Sequence, residues 1–387
     1  MSGSGSPYRM ISAEMSVLGT GVSLPGPARS NDDMVGFMAL RASKHMSEFV
    51  GKIADQLGVY NRYLSRDLAA ARELPRAGDT NPELCERAVR AALDSAGLAV
   101  SDVDLLIGHT TSPHTLLPPN VAWVADRLGY PGQYMELRQA CTGFANALTI
   151  ASAMLTSRAA ECVCIVGSET GSVLFDIDEA LTDRGQLVNV ALMGDGAGAV
   201  VLSRHDGGAE PYIDNVYFGT RGLARAPGFS LVTGGSSQPA HLADQSLARS
   251  FINDYTLARE HGMELFTAGF EALTSVGLGD GEVSRYLSHQ SNGRMGEVLA
   301  PLLGVAEDKF HNCAADFGNT GSASTWIGLH SVREQQRLHP GQVLGVLGAE
   351  ATKFMYGGFS YVEGVRPGSS GGEAPAVPVR AEVAQCA

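Results

Sequence analysis

Three residues in this chain carry side chains suited to acyl chemistry. Cys141 closes the stretch Met135-Glu-Leu-Arg-Gln-Ala-Cys and is followed by Thr-Gly-Phe-Ala-Asn-Ala-Leu-Thr-Ile-Ala, which is apolar at helical spacing. That change of period puts a thiol at a helix N-terminus, where unpaired N–H groups and the helix dipole favour an anion. The thiol is therefore expected to ionise below the ~8.5 of a free cysteine and to act as a nucleophile. A cysteine taken alone is more often a buried packing residue, so the reading depends on its company. Ser288-His-Gln-Ser-Asn-Gly-Arg supplies His289 and Asp316-Phe-Gly-Asn-Thr-Gly-Ser-Ala-Ser supplies Asn319, each where an apolar run breaks into a Gly-rich loop. A thiolate attacking a thioester needs a neighbour to manage protons and donors to hold developing negative charge, and an imidazole with an amide meets both needs.

The elements that must position these groups occur twice. Pro82 to Leu98 reads as an amphipathic helix closed by Gly97, followed by a strand from Asp102. Met263 to Leu278 repeats the helix with Gly277, and Val283 to Gln290 repeats the strand. The helix after Cys141 leads to the strand Cys162-Val-Cys-Ile-Val-Gly-Ser-Glu-Thr, and the helix after Asn319 leads to Val343-Leu-Gly-Val-Leu-Gly-Ala-Glu-Ala-Thr. Buried strands alternating with helices predict an α/β fold in two similar halves, 11–208 and 209–363. The active groups fall at equivalent strand ends and loops, where α/β sheets place their sites. Residues 1–10 and 364–387, rich in Ser, Gly, Pro and Ala, read as flexible ends. Gly194-Asp-Gly-Ala-Gly enters an apolar strand and lacks a following Lys-Ser/Thr, so it reads as a tight structural turn and not as a phosphate cradle.

Composition narrows the function. At 387 residues and 44% hydrophobic, the chain can bury a large core. A net charge of −13 argues against nucleic acid or an anionic membrane as partner. The six cysteines, at 85, 141, 162, 164, 313 and 386, form no metal-type cluster. Reduced, cytoplasmic cysteines are the expectation. No apolar run of eighteen residues and no signal peptide are present.

In this order, Cys-Thr-Gly-Phe, His-Gln-Ser-Asn and Gly-Asn-Thr-Gly-Ser-Ala-Ser resemble the Cys-His-Asn set of the β-ketoacyl-ACP synthase III family, within the thiolase superfamily, from roughly Ser16 to Val362. The resemblance implies the thiolase fold, two α/β halves in αβαβα layers. It implies that Cys141 takes an acyl group from a thioester, and that His289 and Asn319 stabilise the enolate formed when a malonyl thioester loses CO₂. The oxyanion is expected on the N–H groups of Cys141 and of Gly357 in Met355-Tyr-Gly-Gly-Phe. Arg184 and Arg294 match arginines that meet the donor's phosphate-bearing arm or the carrier protein, and Leu117 matches a bulky residue closing the acyl pocket across a dimer interface. Leu in place of an aromatic ring implies an acyl group larger than acetyl.

The chain departs from the pattern at Ile53 to Tyr63, which lacks the Trp that sandwiches the CoA adenine, and at Arg138 and Gln139, where small residues are usual. These departures favour an acyl carrier protein over CoA as donor and a specialised pathway such as polyketide or other secondary metabolism. Acyl thioesters are substrates and no cofactor is implied; a homodimer follows from the resemblance alone. An acyltransferase that forms no carbon–carbon bond, and a non-catalytic partner subunit, stay open as alternatives.

Overall fold

The computed structural model of the protein describes residues 8–12, 14–40, 42–66, 79–174, 184–231, 234–236, 239 and 252–364. Local signals set its elements. Helix α3 (Asn81–Ala96) opens on a capping box between Thr80 and Glu83, has Pro82 in its first turn, and ends at Gly97 with φ +68°. The expected strand at Asp102 begins later. Asp102 accepts the Ala99 N–H at 2.7 Å and closes a short 3₁₀ turn, so β5 runs Leu105–His109.

The strands form two sets with one topology. In the first, β2 (Met15–Ser23), β5, β6 (Gln133–Leu137), β7 (Cys162–Glu169) and β8 (Gly196–Arg204) lie in the order β6-β5-β7-β8-β2. β5 is parallel to β6 and β7, while β8 is antiparallel to β7 and β2. In the second, β9 (Tyr212–Thr220), β12 (Val283–Ser288), β13 (Val343–Glu350) and β14 (Met355–Val362) lie in the order β12-β13-β14-β9. β12 is parallel to β13, and β14 is antiparallel to both neighbours. A single parallel bridge from Tyr286 to Phe310 stands where β6 stands in the first set. The two sets meet at Met15 opposite Ile213 and Ser16 opposite Tyr212.

Both sets thus carry the same crossover pattern, the duplication read from the sequence. β5, β7 and β13 are buried along nearly all their length, as strands covered on both faces should be. Two short pairs, β3 (Arg29–Ser30) with β4 (Asn61–Arg62) and β10 (Phe229–Ser230) with β11 (Ile252–Asn253), lie outside this sheet.

Helices complete five layers. α5 (Gly143–Thr156) and α10 (Ser324–Glu334) occupy the middle, sharing one apolar core with strands of both sets. Phe144 of α5, Trp326 of α10 and Phe359 of β14 meet there with ring centroids 5.7 to 6.3 Å apart. α3 and α4 (Asn120–Leu128) cover the outer face of the first set; α7 (Tyr255–Thr274) and α8 (Met295–Leu303) cover that of the second. α1 (Asn31–Ala39) and α2 (Lys44–Gln56) pack on α6 (Arg184–Leu192), and α9 (Ala314–Phe317) is a single turn before Asn319.

One expectation is corrected at the N-terminus. Tyr8 to Met10, read as part of a loose end, belong to β1 (Tyr8–Ile11), paired antiparallel with Val216 to Gly219. Their alternating apolar residues Tyr8 and Met10 pack on the second half's core. The expected flexible segments 1–7 and 365–387 lie outside the described residues.

Candidate active site

Cys141 sits two residues ahead of α5, at the point where β6 has ended and the helix has yet to begin. Its thiol does not behave as the helix terminus alone would dictate. Burial pushes it well above its ordinary range, with the carboxylates of Glu350 and then Glu169 adding to the effect. The source of the Glu350 contribution lies one residue on. The Thr142 N–H and Oγ–H donate to one oxygen of Glu350 at 3.0 and 2.6 Å. The anion favoured by this helix terminus is therefore the Glu350 carboxylate, and the expected depression of the thiol is not met. Behind the loop, His109 packs so tightly that a Cβ on Gly143 would come within 2.9 Å of its Nδ1. The Trp326 indole N–H donates to His109 Nε2 at 2.9 Å, which fixes the neutral tautomer with its proton on Nδ1.

His289 follows β12 directly and is held to β13 by its N–H on the Leu347 carbonyl at 2.8 Å. Its Nδ1 lies 3.1 Å from Ser324 Oγ, the first residue of α10, so Nε2 is the ring nitrogen left for chemistry. Burial lowers the imidazole to about 4, which keeps it uncharged at neutral pH.

Asn319 is stitched into the first half. Its N–H donates to the Leu192 carbonyl at 2.8 Å and its carbonyl accepts the Gly194 N–H at 3.0 Å. Asn319 Oδ1 accepts the Gly321 N–H at 3.0 Å, so Nδ2 is the end of the amide that carries its donors. The Gly194-Asp-Gly run is the structural turn that makes this approach possible. A Cβ on Gly194 would lie 2.0 Å from the Phe317 carbonyl oxygen. Buried Asp195 takes the N–H groups of Ser65 and Ser172 at 2.7 and 3.0 Å.

Two carboxylates tie these loops together, and the sequence reading passed over both. Glu169 ends β7 and Glu350 ends β13, the equivalent strands of the two halves. Glu169 accepts the Ser322 N–H and Oγ–H at 3.3 and 2.9 Å on one oxygen, and the Thr111 and Ser112 hydroxyls on the other. Burial raises Glu169 above the usual carboxylate range, against the pull of these hydrogen bonds. The signal that could have found them is a repeated Gly-X-Glu, Gly167-Ser-Glu169 and Gly348-Ala-Glu350, at the ends of the two strands already seen as repeats.

Comparison with known proteins settles the family. The N-terminal model described as 3-oxoacyl-[acyl-carrier-protein (ACP)] synthase III matches residues 135–222, and the corresponding C-terminal model matches residues 273–356. The chain belongs to the β-ketoacyl-ACP synthase III-like family. A synthase III from Thiobacillus denitrificans is 29% identical over 333 residues, covering 85% of this chain and 93% of that protein. Among solved structures, the tetronic acid condensing enzyme AbyA1 aligns with TM-score 0.78 and 27% identity, over 90% of this chain and all of that one. The synthase III of Pseudomonas aeruginosa PAO1 shares the fold at TM-score 0.74 and 24% identity, covering 91% of this chain and 98% of its own.

The remaining residues singled out by the synthase III resemblance separate into two groups. Gly357 joins the cluster: it lies in β14 between Gly348 and Phe218, and a Cβ there would come within 2.8 Å of Ala145 Cβ in the first turn of α5. Leu117 stands apart at 84% exposed, beside exposed Leu116. Arg294 pairs with Glu297 at 3.0 Å and packs its stem against Gly58. Arg184 opens α6, and its side chain lies outside the described residues. Gln139 is braced by the Asn146 amide at 2.7 Å, while Arg138 reaches Glu136 at 3.5 Å. Among the described residues, no helix is long and apolar enough to cross a membrane.

Proposed function

We propose that this synthase III-like protein transfers an acyl group from a thioester to Cys141 and then condenses it with a malonyl-type thioester. The observation that carries the reading is the convergence of the Cys141, His289 and Asn319 loops on the N-terminal ends of α5 and α10. Since Cys141 is held as the thiol, its proton must leave as the sulfur attacks. Neutral His289 can take that proton on Nε2 while Nδ1–H donates to Ser324. The Cys141 Sγ–acyl bond forms, the donor's C–S bond breaks, and the proton passes on to the departing thiol. The N–H groups of Cys141 and Gly357 are the proposed oxyanion donors, each such donor being worth ~2.7–4 kcal/mol of barrier.

In the second half-reaction the malonyl C–COO⁻ bond breaks and CO₂ leaves. Asn319 Nδ2–H and His289 Nε2–H hold the enolate oxygen as its carbon attacks the acyl carbonyl and expels the Cys141 thiolate, which takes up one proton from solvent to return to the resting thiol. Ser324 can donate to Nδ1 as well as accept from it, so one imidazole can serve as acceptor first and donor second. An uncharged amide suits an enolate because it adds no negative charge of its own.

An acyl carrier protein is the proposed thioester carrier, a homodimer the proposed assembly and secondary metabolism the proposed setting. The 27% identity to a tetronic acid condensing enzyme supports that setting. Peptide mapping by mass after incubation with acyl-carrier and acyl-CoA donors tests the first step. An acyl adduct on Cys141 is expected; acylation elsewhere, or none with either donor, would overturn the reading.

A further inference from the structure

The two buried glutamates repeat one another across the halves of the molecule. Each is the last residue of the strand after its half's central helix, β7 for Glu169 and β13 for Glu350, and each is only 2% exposed. Each accepts an N–H and a hydroxyl from one residue at the N-terminus of the central helix of the opposite half. Glu350, in the second half, holds Thr142, next to the nucleophile. Glu169, in the first half, holds Ser322, three residues after Asn319. The other oxygen of each carboxylate takes hydroxyls from its own half, Thr352 for Glu350 and Thr111 with Ser112 for Glu169. The glycine two positions before each glutamate makes room for the crossing. A Cβ on Gly167 would lie 2.5 Å from the Ser322 carbonyl oxygen, and one on Gly348 would lie 2.8 Å from the Phe144 ring.

We infer that Glu169 and Glu350 are a crossed pair of positioning residues, each registering the reactive loop of the other half. The inference rests on the proposed use of Cys141 and Asn319. A buried carboxylate would not be stable here without these donors, because an unpaired charge in the interior is strongly disfavoured. Two such groups at matched positions therefore lock the nucleophile loop and the amide loop into a single geometry. The arrangement has an electrostatic corollary. The charges acting on Cys141 are those of Glu350 and Glu169, and the neighbouring imidazoles His109 and His289 are neutral, lowered to about 3 and about 4. Burial keeps the resting nucleophile protonated and the two carboxylates of the clamp reinforce it, and a thiol in that state resists adventitious alkylation and oxidation.

The test is the pH dependence of Cys141 alkylation by iodoacetamide in Glu350→Gln and Glu169→Gln, followed by intact mass. This readout needs no acyl donor or acceptor, so it separates failure of the clamp from failure of the proposed reaction. The amide keeps an acceptor oxygen for the Thr142 or Ser322 N–H, and a Ser322→Ala variant probes the second loop without altering charge. Expected are alkylation profiles moved to lower pH in both Gln variants, more for Glu350, with Cys141 acylation by a productive donor slowed about tenfold or more. In Ser322→Ala the alkylation profile should stay in place while product formation falls. Alkylation profiles that coincide with wild type in both Gln variants, with acylation at the normal rate, would overturn the inference.

Discussion

The two halves share a strand order, a central helix and a buried glutamate, yet they present different chemistry at the matching helix ends. The first half offers a thiol at Cys141, and the second offers an imidazole at His289 and an amide at Asn319. The scaffold is what the halves have in common, and the reactive groups are what distinguishes them. Each half also borrows from the other, since Glu350 holds the first half's loop, Glu169 holds the second's, and Asn319 is bonded to Leu192 and Gly194. Neither half contains a complete site. A duplicated fold can thus divide one reaction between two copies without loosening either.

Substitutions should break the comparison at its chemical ends first. Cys141→Ala is expected to remove product formation by about 10³-fold or more and to abolish acylation, measured by intact mass and by turnover. Asn319→Ala should do something different, cutting condensation by about 10²- to 10³-fold while acyl-Cys141 still accumulates. If both variants lost acylation equally, the division of labour between halves would be wrong.

The shared core comes next. Trp326→Ala empties the space between Phe144, Phe359 and His109 and should cost about 3–5 kcal/mol in denaturant unfolding. A smaller loss would mean that the central helices are not the joint between the halves. Gly357→Ala should cost about 1–3 kcal/mol, because the new methyl meets Ala145 at 2.8 Å. Any accommodation there must move α5 and with it Cys141, so activity should fall together with stability.

The smallest effect concerns pH. Burial lowers His109 to about 3 and His289 and His311 to about 4. Between about pH 6.5 and 4 the unfolded chain binds protons at these positions that the folded chain refuses, so they make stability fall as pH drops. Asp195, raised to about 6, and Glu169, also raised, act in the opposite sense. A His311→Gln variant keeps those carboxylates and loses one refusing imidazole, so its Tm should fall less than that of wild type between pH 7 and pH 5. An equal or steeper fall would contradict this assignment.

Much of this arrangement was legible in the residues. Gly97 and Gly277 marked matching helix ends, and both adopt positive φ. The breaks in apolar pattern at Cys141, His289 and Asn319 located all three loops, because such breaks are local. The state of the thiol was not legible. It depends first on burial in the assembled fold and then on a carboxylate 209 positions away that takes Thr142, and no local pattern reports either. Strand β1 was hidden for a similar reason: its composition suits a loose end, and only pairing with β9 orders it. The crossed glutamates were visible as a repeated Gly-X-Glu, but their crossing follows from the packing of two halves and not from either sequence alone.

The central claim is condensation, and its most direct test is intact-mass analysis of a malonyl-carrier acceptor incubated with enzyme already acylated on Cys141. A carrier-bound product heavier by the acyl group and lighter by CO₂ is expected. Unchanged malonyl-carrier, with the acyl group found instead on a holo-carrier or a small nucleophile in the same mixture, would contradict it.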